Sequence, residues 1–179
     1  MLYKTEGMII KRSNLGDFDR LLTVYTRDFG KISVRGKAIR KNQSKLKGHL
    51  ELFLQSRLLI APGKKLDIIT GAEIIRSFSK LHQRLPSLAA AYYLAEIIDK
   101  TIIGPERDPQ IWQSLLTSFQ KLDQEKTEPK IIIDNFEKQL LGLLGYGQGE
   151  QTIISLINSL FKEKIYSRLF LQKALCLLR

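Results

Sequence analysis

The sequence predicts an α+β chain: a small five-stranded β-barrel over residues 1–78, then an all-helical domain over residues 79–179. Three observations carry this reading. The early part of the chain alternates short β-branched or aromatic runs with turn residues. From about Ser77 the apolar residues recur at three- and four-residue steps. Charge divides at the same place: residues 1–80 hold 17 Lys or Arg against 7 Asp or Glu, whereas residues 81–179 hold 12 against 11.

Five runs read as strands. Gly7–Ile10 is short and apolar, and Leu21–Thr26 is rich in Leu, Val, Tyr and Thr. Lys31–Arg35 alternates, with Ile32 and Val34 on one face and Lys31, Ser33 and Arg35 on the other. Leu50–Ile60 has the length of a bent strand, and Leu66–Ile75 is β-branched in its middle. Asn14–Asp17, Asp28–Gly30 and Ala61–Lys65 are the turn signals between them. Five short strands without an intervening long helix suggest a closed barrel of the oligonucleotide-binding (OB) type.

The helices follow. Pro86 suits a first turn, with Leu88, Ala91, Tyr92, Ala95, Ile98 and Ile102 as the stripe and Gly104-Pro105 as the stop. Asp108-Pro109 reads as N-cap and first turn of the next helix, whose stripe is Ile111, Leu115, Phe119 and Leu122. Pro129 opens another, burying Phe136, Leu140, Leu143 and Leu144 and closing at Gly145. Two more apolar helices are expected near Thr152–Phe161 and Ser167–Leu178.

Composition narrows the function. The net charge is +11, and its concentration in the barrel points to a polyanion, of which nucleic acid is the commonest soluble kind. Lys31, Arg35, Lys37, Arg40, Lys41, Lys45 and Lys47 follow one another with no acidic residue between them. They repel one another unless an anion sits among them, and a phosphate backbone supplies anions at regular spacing. Phe18 and Tyr25, at a turn and a strand end, are the candidate base-stacking rings, ahead of Phe29 and Phe53.

Catalytic signals are weak. His49 and His82 are the two histidines, and neither has a second ligand at metal spacing, so no metal is expected. The single Cys176 excludes an internal disulfide and is expected to be buried among leucines. Asp17, Asp19 and Arg20 suggest a turn with a local ion pair. Gly145–Gly149 lacks the strand before it and the Gly-Lys-Ser/Thr ending of a phosphate loop, and reads as a helix end. The chain is expected not to be an enzyme and to need no cofactor. No run approaches the ~18 apolar residues of a membrane helix, and the first residues do not resemble a signal peptide. The expectation is a cytoplasmic protein without membrane contact. The helical half has more Leu and Ile than one stripe needs, and Trp112 beside Ile111 is a candidate wall of a partner groove.

The order of motifs resembles the bacterial RecO family. Thr5–Lys11, Gly16–Thr23 and Thr26–Ile32 match its opening, and Gly36, Arg40-Lys41, Ser44–Gly48, Leu50 and Phe53 its basic loop, here slightly longer. Ala91–Glu96 resembles its first long helix, Phe136–Gly147 a later one, and Ser167–Leu171 its last. The resemblance implies a recombination mediator. Such a protein binds single- and double-stranded DNA, anneals complementary strands, and with RecR loads RecA onto DNA coated by single-strand-binding protein (SSB). The implied DNA contacts are Lys31, Arg35, Lys37, Arg40, Lys41, Lys45 and Lys47, with Lys11 and Arg12. The chain is short for the family. The family's four-cysteine zinc module is missing, because Gln148–Lys164 reads as a short apolar helix without cysteine. Where members often carry arginine before the matching Phe136, near the SSB-tail site, Asp134 and Asn135 stand instead, which shifts that role toward Lys130 or Lys138. Two other readings fit the residues alone: an OB-fold module for tRNA or rRNA, and an adaptor working through its helices.

Overall fold

In the computed structural model, which describes residues 1–147, 151–162 and 164–176, five strands close into a barrel in the order β1-β2-β3-β5-β4. They are β1 (Tyr3–Leu15), β2 (Asp19–Thr26), β3 (Gly30–Gly36), β4 (Gln55–Ala61) and β5 (Asp67–Arg76). All neighbours run antiparallel except β3 and β5, which meet in parallel at Val34–Asp67 and Arg35–Ile68. This is the OB-type barrel followed by helices that the strand pattern predicts. The first strand is longer than the apolar run Gly7–Ile10. It pairs with β4 through its first half and with β2 through its second, and its register shifts at Ile10. Such a bulge bends a strand sharply enough to serve two partners around a small barrel.

The interior is filled by Ile9, Leu22, Val24, Val34, Leu58, Ile60 and Ile69, all essentially inaccessible. Ile39 and Leu50, from the β3–β4 connection, complete it. The expected strand over Leu50–Ile60 begins only at Gln55. Phe53 adopts a left-handed φ of 67° and is wholly buried, with its N–H on the Ile9 carbonyl at 2.9 Å. That conformation cannot continue a ladder.

The chain forms two compact units, residues 1–77 with 103–108 and residues 78–102 with 109–179. The hexapeptide 103–108 thus clusters with the barrel, although it follows a helix. Gly30 has a φ of +63°, and a Cβ there would lie 2.1 Å from the Glu106 carbonyl oxygen. Only glycine allows both that turn and that approach.

The second unit contains α1 (Ser79–Gln83), α2 (Leu85–Thr101), α3 (Pro109–Gln124), α4 (Pro129–Leu143), α5 (Ile153–Leu156) and α6 (Ser167–Cys176). A π-helical turn, Ile157–Phe161, follows α5. α2 packs against α1, α3, α4 and α6, so its buried residues exceed a single stripe. Tyr93, not Tyr92, is buried, and its hydroxyl donates to Glu137 at 2.5 Å. Burial raises the Glu137 carboxyl above its ordinary range, an effect that this bond opposes. Leu143 and Leu144 are only half-buried, whereas Leu141 is buried. Glu96 accepts from the Tyr166 and Ser167 N–H groups at 2.9 and 2.8 Å and from the Ser167 hydroxyl at 2.6 Å, fastening the start of α6. Cys176 is exposed rather than buried. It lies two residues beyond the buried Ala174, about 200° around the helix. Gly145 ends α4 at φ +85°. Gln148 and Gly149, which the glycine-rich reading includes, lie outside the described residues, as do Glu150, Glu163, Leu177 and Leu178 of the later helix readings.

Candidate nucleic-acid interface

The basic residues divide by chemistry. On the barrel wall, Arg12 and Arg20 both engage Glu51 and Arg57 engages Glu6 and Glu73; in the turn between β2 and β3, Arg27 engages Glu6 and Asp28. Arg35 donates its Nε to Asp19 at 2.6 Å. Arg12 and Arg35, predicted as DNA contacts, are therefore held by carboxylates. The reason is tertiary: Glu51 and Asp19 lie far from them in sequence but adjacent in the barrel. The same fact corrects the expected local pair, since Asp19 turns to Arg35 and Arg20 to Glu51.

The β3–β4 connection holds five further cations. Lys37, Arg40, Lys41, Lys45 and Lys47 are all exposed. Among the described residues none of them forms an ion pair. Lys31 is half-buried on β3, and Lys11 is exposed on β1. The connection is not a free loop. It advances by successive turns, with Lys41 N–H on Ala38 O at 3.1 Å, Ser44 N–H on Lys41 O at 3.1 Å and Lys47 N–H on Ser44 O at 3.3 Å. Ile39 and Leu50 pin it into the barrel interior.

Its root is tied to the turn between β1 and β2. Asp19 accepts the Ala38 N–H at 2.7 Å on one oxygen and Arg35 on the other. Ala38 has a φ of 54°, a conformation this bond helps to hold. Arg40 donates its backbone N–H to Phe18 O at 2.9 Å and its side chain to Gly16 O at 3.2 Å. Lys41 Nζ sits 5.0 Å from the centre of the Phe18 ring, within cation–π range. The Ala38 N–H, foremost, and then Arg35 and Lys37 hold the Asp19 carboxyl below its usual value, against the opposing effect of burial. Asp19 is thus a positioning residue that charge arithmetic alone does not reveal.

Of the two candidate rings, Phe18 is about half exposed and Tyr25 is not exposed at all. Tyr25 is no stacking platform. Burial, with a smaller part from the charge of Asp108, raises its phenol well above the ordinary value. Asp108 belongs to the distant segment 103–108, which clusters with the barrel, and strand position alone misleads for that reason. Phe29 meets Tyr3 edge to face at 4.9 Å, and Phe53 is core.

A second loop enters the site. Lys64 and Lys65, between β4 and β5, are exposed, and with Phe18, Arg35 and Leu66 they line an open cleft of about 760 Å³. Sequence reading treats Ala61–Lys65 only as a turn. The available signal was two adjacent lysines in the last connection of a five-stranded barrel, where OB folds take oligonucleotides.

In the helical unit a groove of about 610 Å³ runs between α3 and α4, lined by Gln113, Asn135, Phe136, Gln139, Lys121 and Lys138 among others. Trp112 does not line it. It is buried beside Ile111, because the inward face of α3 is wide enough for both. Lys130 is exposed but outside the groove. Among the described residues no group of three His, Cys, Asp or Glu could hold a metal, and no helix is long and apolar enough to cross a membrane.

Residues 1–78 match the family model described as recombination protein O N terminal, and residues 82–148 match recombination protein O C terminal. The chain belongs to the recombination protein O family. It is 36% identical over 144 residues to the DNA repair protein RecO of Dehalococcoides mccartyi, covering 80% of this chain and 56% of that protein. With the DNA repair protein RecO of Trichodesmium erythraeum it shares 36% over 146 residues, 82% of this chain and 50% of the relative. With that of Acetivibrio thermocellus it shares 28% over 164 residues, 92% and 65%. The first two matches span about half the length of those family members. The two matched models include every cation of the β3–β4 connection, the Gly16–Asp19 turn and the Lys64-Lys65 loop.

Proposed function

We propose that the chain acts in DNA repair as a non-catalytic mediator that brings complementary strands together. The observation that carries this is the exposed set Lys37, Arg40, Lys41, Lys45 and Lys47, without an ion pair among the described residues, on a connection braced by Asp19 and Phe18. Two complementary strands repel as polyanions. A cationic surface lowers that repulsion and raises their local concentration. Contacts must be mainly to phosphate, since base-reading contacts would block pairing. Lysines suit this role, being point charges rather than bidentate base readers.

In this reading single- and double-stranded DNA both bind, RecR assists in loading RecA, and no cofactor takes part. The α3–α4 groove, with Lys121 and Lys138 beside Phe136, suits the acidic tail of SSB. The compartment is the cytoplasm, at the nucleoid. The test is pairing of complementary oligonucleotides, with and without SSB, by the chain and by its Lys37→Glu/Arg40→Glu/Lys41→Glu/Lys45→Glu variant. The chain accelerates pairing and the variant does not, while far-ultraviolet circular dichroism is unchanged. Equal pairing by both would move the site elsewhere. Tighter binding of RNA than of either DNA form in a direct competition would replace this reading with an RNA-binding one.

A further inference from the structure

We infer that the cleft between the β1–β2 turn and the β4–β5 loop is a subsite for one unpaired nucleotide, its base on Phe18 and its phosphate on Lys64 and Lys65. The inference rests on the DNA-binding reading above and adds to it a reason for preferring single strands. Four features of the cleft support it.

The first is a ring held ready. Phe18 is half exposed, its carbonyl is fixed by the Arg40 N–H at 2.9 Å, and Lys41 stands off the ring at 5.0 Å. A half-exposed ring on a hydrogen-bonded backbone offers π surface to a base and loses little entropy when a base stacks on it. The second is a firm opposite wall. A Cβ at Gly63 would lie 2.0 Å from the Leu66 carbonyl oxygen, so the loop turns as tightly as glycine permits. Asp67 closes that loop by accepting the Gly63 N–H at 3.2 Å and the Tyr3 hydroxyl at 2.7 Å.

The third is charge. Asp19, which lines the cleft, spends one oxygen on Arg35 and the other on the Ala38 N–H. Asp17, also lining it, is exposed. Lys64 and Lys65 are exposed and have no ion pair among the described residues, so they are available to a phosphate. The fourth is size and lining. About 760 Å³ lies within the ~300–1,000 Å³ of clefts that take small molecules, and Leu15, Leu66 and Ile68 give it an apolar floor beside the lysines. A base inside a duplex is stacked on its neighbours and cannot lie on Phe18. The cleft therefore accepts only an unpaired nucleotide. Holding one base leaves the rest of the strand free to pair.

The experiment uses the full chain with two probes: a short single strand carrying one 2-aminopurine, and a duplex of the same length. The variants are Phe18→Leu, which keeps apolar bulk without a π face, and Lys64→Glu/Lys65→Glu. Binding quenches the 2-aminopurine in the unaltered chain. Phe18→Leu removes the quenching and weakens single-strand binding between about five- and a hundred-fold, several times more than it weakens duplex binding. Lys64→Glu/Lys65→Glu weakens single-strand binding more than duplex binding. Equal losses on the two probes, or undiminished quenching with Phe18→Leu, would overturn the subsite while leaving the DNA-binding reading intact. Failure of the unaltered chain to bind either probe would overturn that reading itself.

Discussion

The barrel wall and the barrel loops carry the same kind of charge and use it in opposite ways. On the wall, Arg12, Arg20, Arg35 and Arg57 meet carboxylates across the sheet or beside it, Arg12 and Arg20 sharing Glu51. On the loops, Lys37, Lys45, Lys47, Lys64 and Lys65 have no ion pair among the described residues. Guanidinium groups present a planar fork that fits a carboxylate, whereas an ammonium is a hydrated point charge on a long stem. The lesson is that net charge overstates the binding surface. The paired wall arginines are partly neutralised, and the loop lysines without ion pairs are better placed to release counterions from a phosphate chain.

The widest gap between wall and loop is expected from charge reversal. The four-fold Glu variant of Lys37, Arg40, Lys41 and Lys45 should bind single strands more than about 100-fold more weakly than the unaltered chain. A fluorescence titration at one fixed salt concentration checks this. A loss under about ten-fold would show the wall arginines to be engaged after all. For the unaltered chain, about five phosphate contacts predict a slope near −3.5 in log affinity against log salt, at ~0.7 per phosphate of a single strand.

Next in size is the brace between the two. Asp19→Ala removes the acceptor of Arg35 and of the Ala38 N–H, two charge-assisted bonds. A stability loss of about 2–3 kcal/mol is expected, read from the urea midpoint, with faster hydrogen exchange at Ala38 and Arg40. The pH dependence has a definite sign. Because the folded Asp19 carboxyl titrates below its usual value, the unfolded chain takes up the proton first on acidification. Its contribution is complete above ~3.9, the ordinary carboxylate value, and is lost as pH falls through the lower folded value. The difference in stability between the chain and Asp19→Ala should therefore be the same at pH 7 and pH 5. A difference that shrank by half at pH 5 would show that Asp19 is not the group responsible.

The smallest and sharpest test compares two variants of equal charge change. Lys45→Ala should lower the salt slope by about 0.7. Arg57→Ala, which breaks exposed pairs with Glu6 and Glu73, should leave the slope unchanged and alter stability by no more than about 1 kcal/mol. Equal slopes for the two variants would erase the distinction between wall and loop.

Much of the barrel could be read in the sequence because each strand states its own pattern. Ile32 and Val34 alternate with Lys31, Ser33 and Arg35, and the turn residues lie where β1, β2 and β4 end. Phe53 broke the reading of the fourth strand, since a left-handed aromatic residue leaves no mark in composition. The loop cations were legible for the same reason as the strands: they are a local run. Tyr25 and Trp112 were misread because burial depends on what lies across from a residue, and that comes from distant sequence; Cys176 falls on the outer side of its helix, away from the buried Ala174.

Amino-acid order alone determined the α+β division, the placement of surplus positive charge in the barrel and the run of cations between β3 and β4. Those properties are sums over neighbours in the chain. Tertiary structure alone decided which cations remain available, because Glu51 and Asp19 reach their arginines only when the barrel closes. It also decided that Phe18 stands beside Lys64 and Lys65 in one cleft, since two turns so far apart in the chain meet only once β2, β3 and β5 are in register.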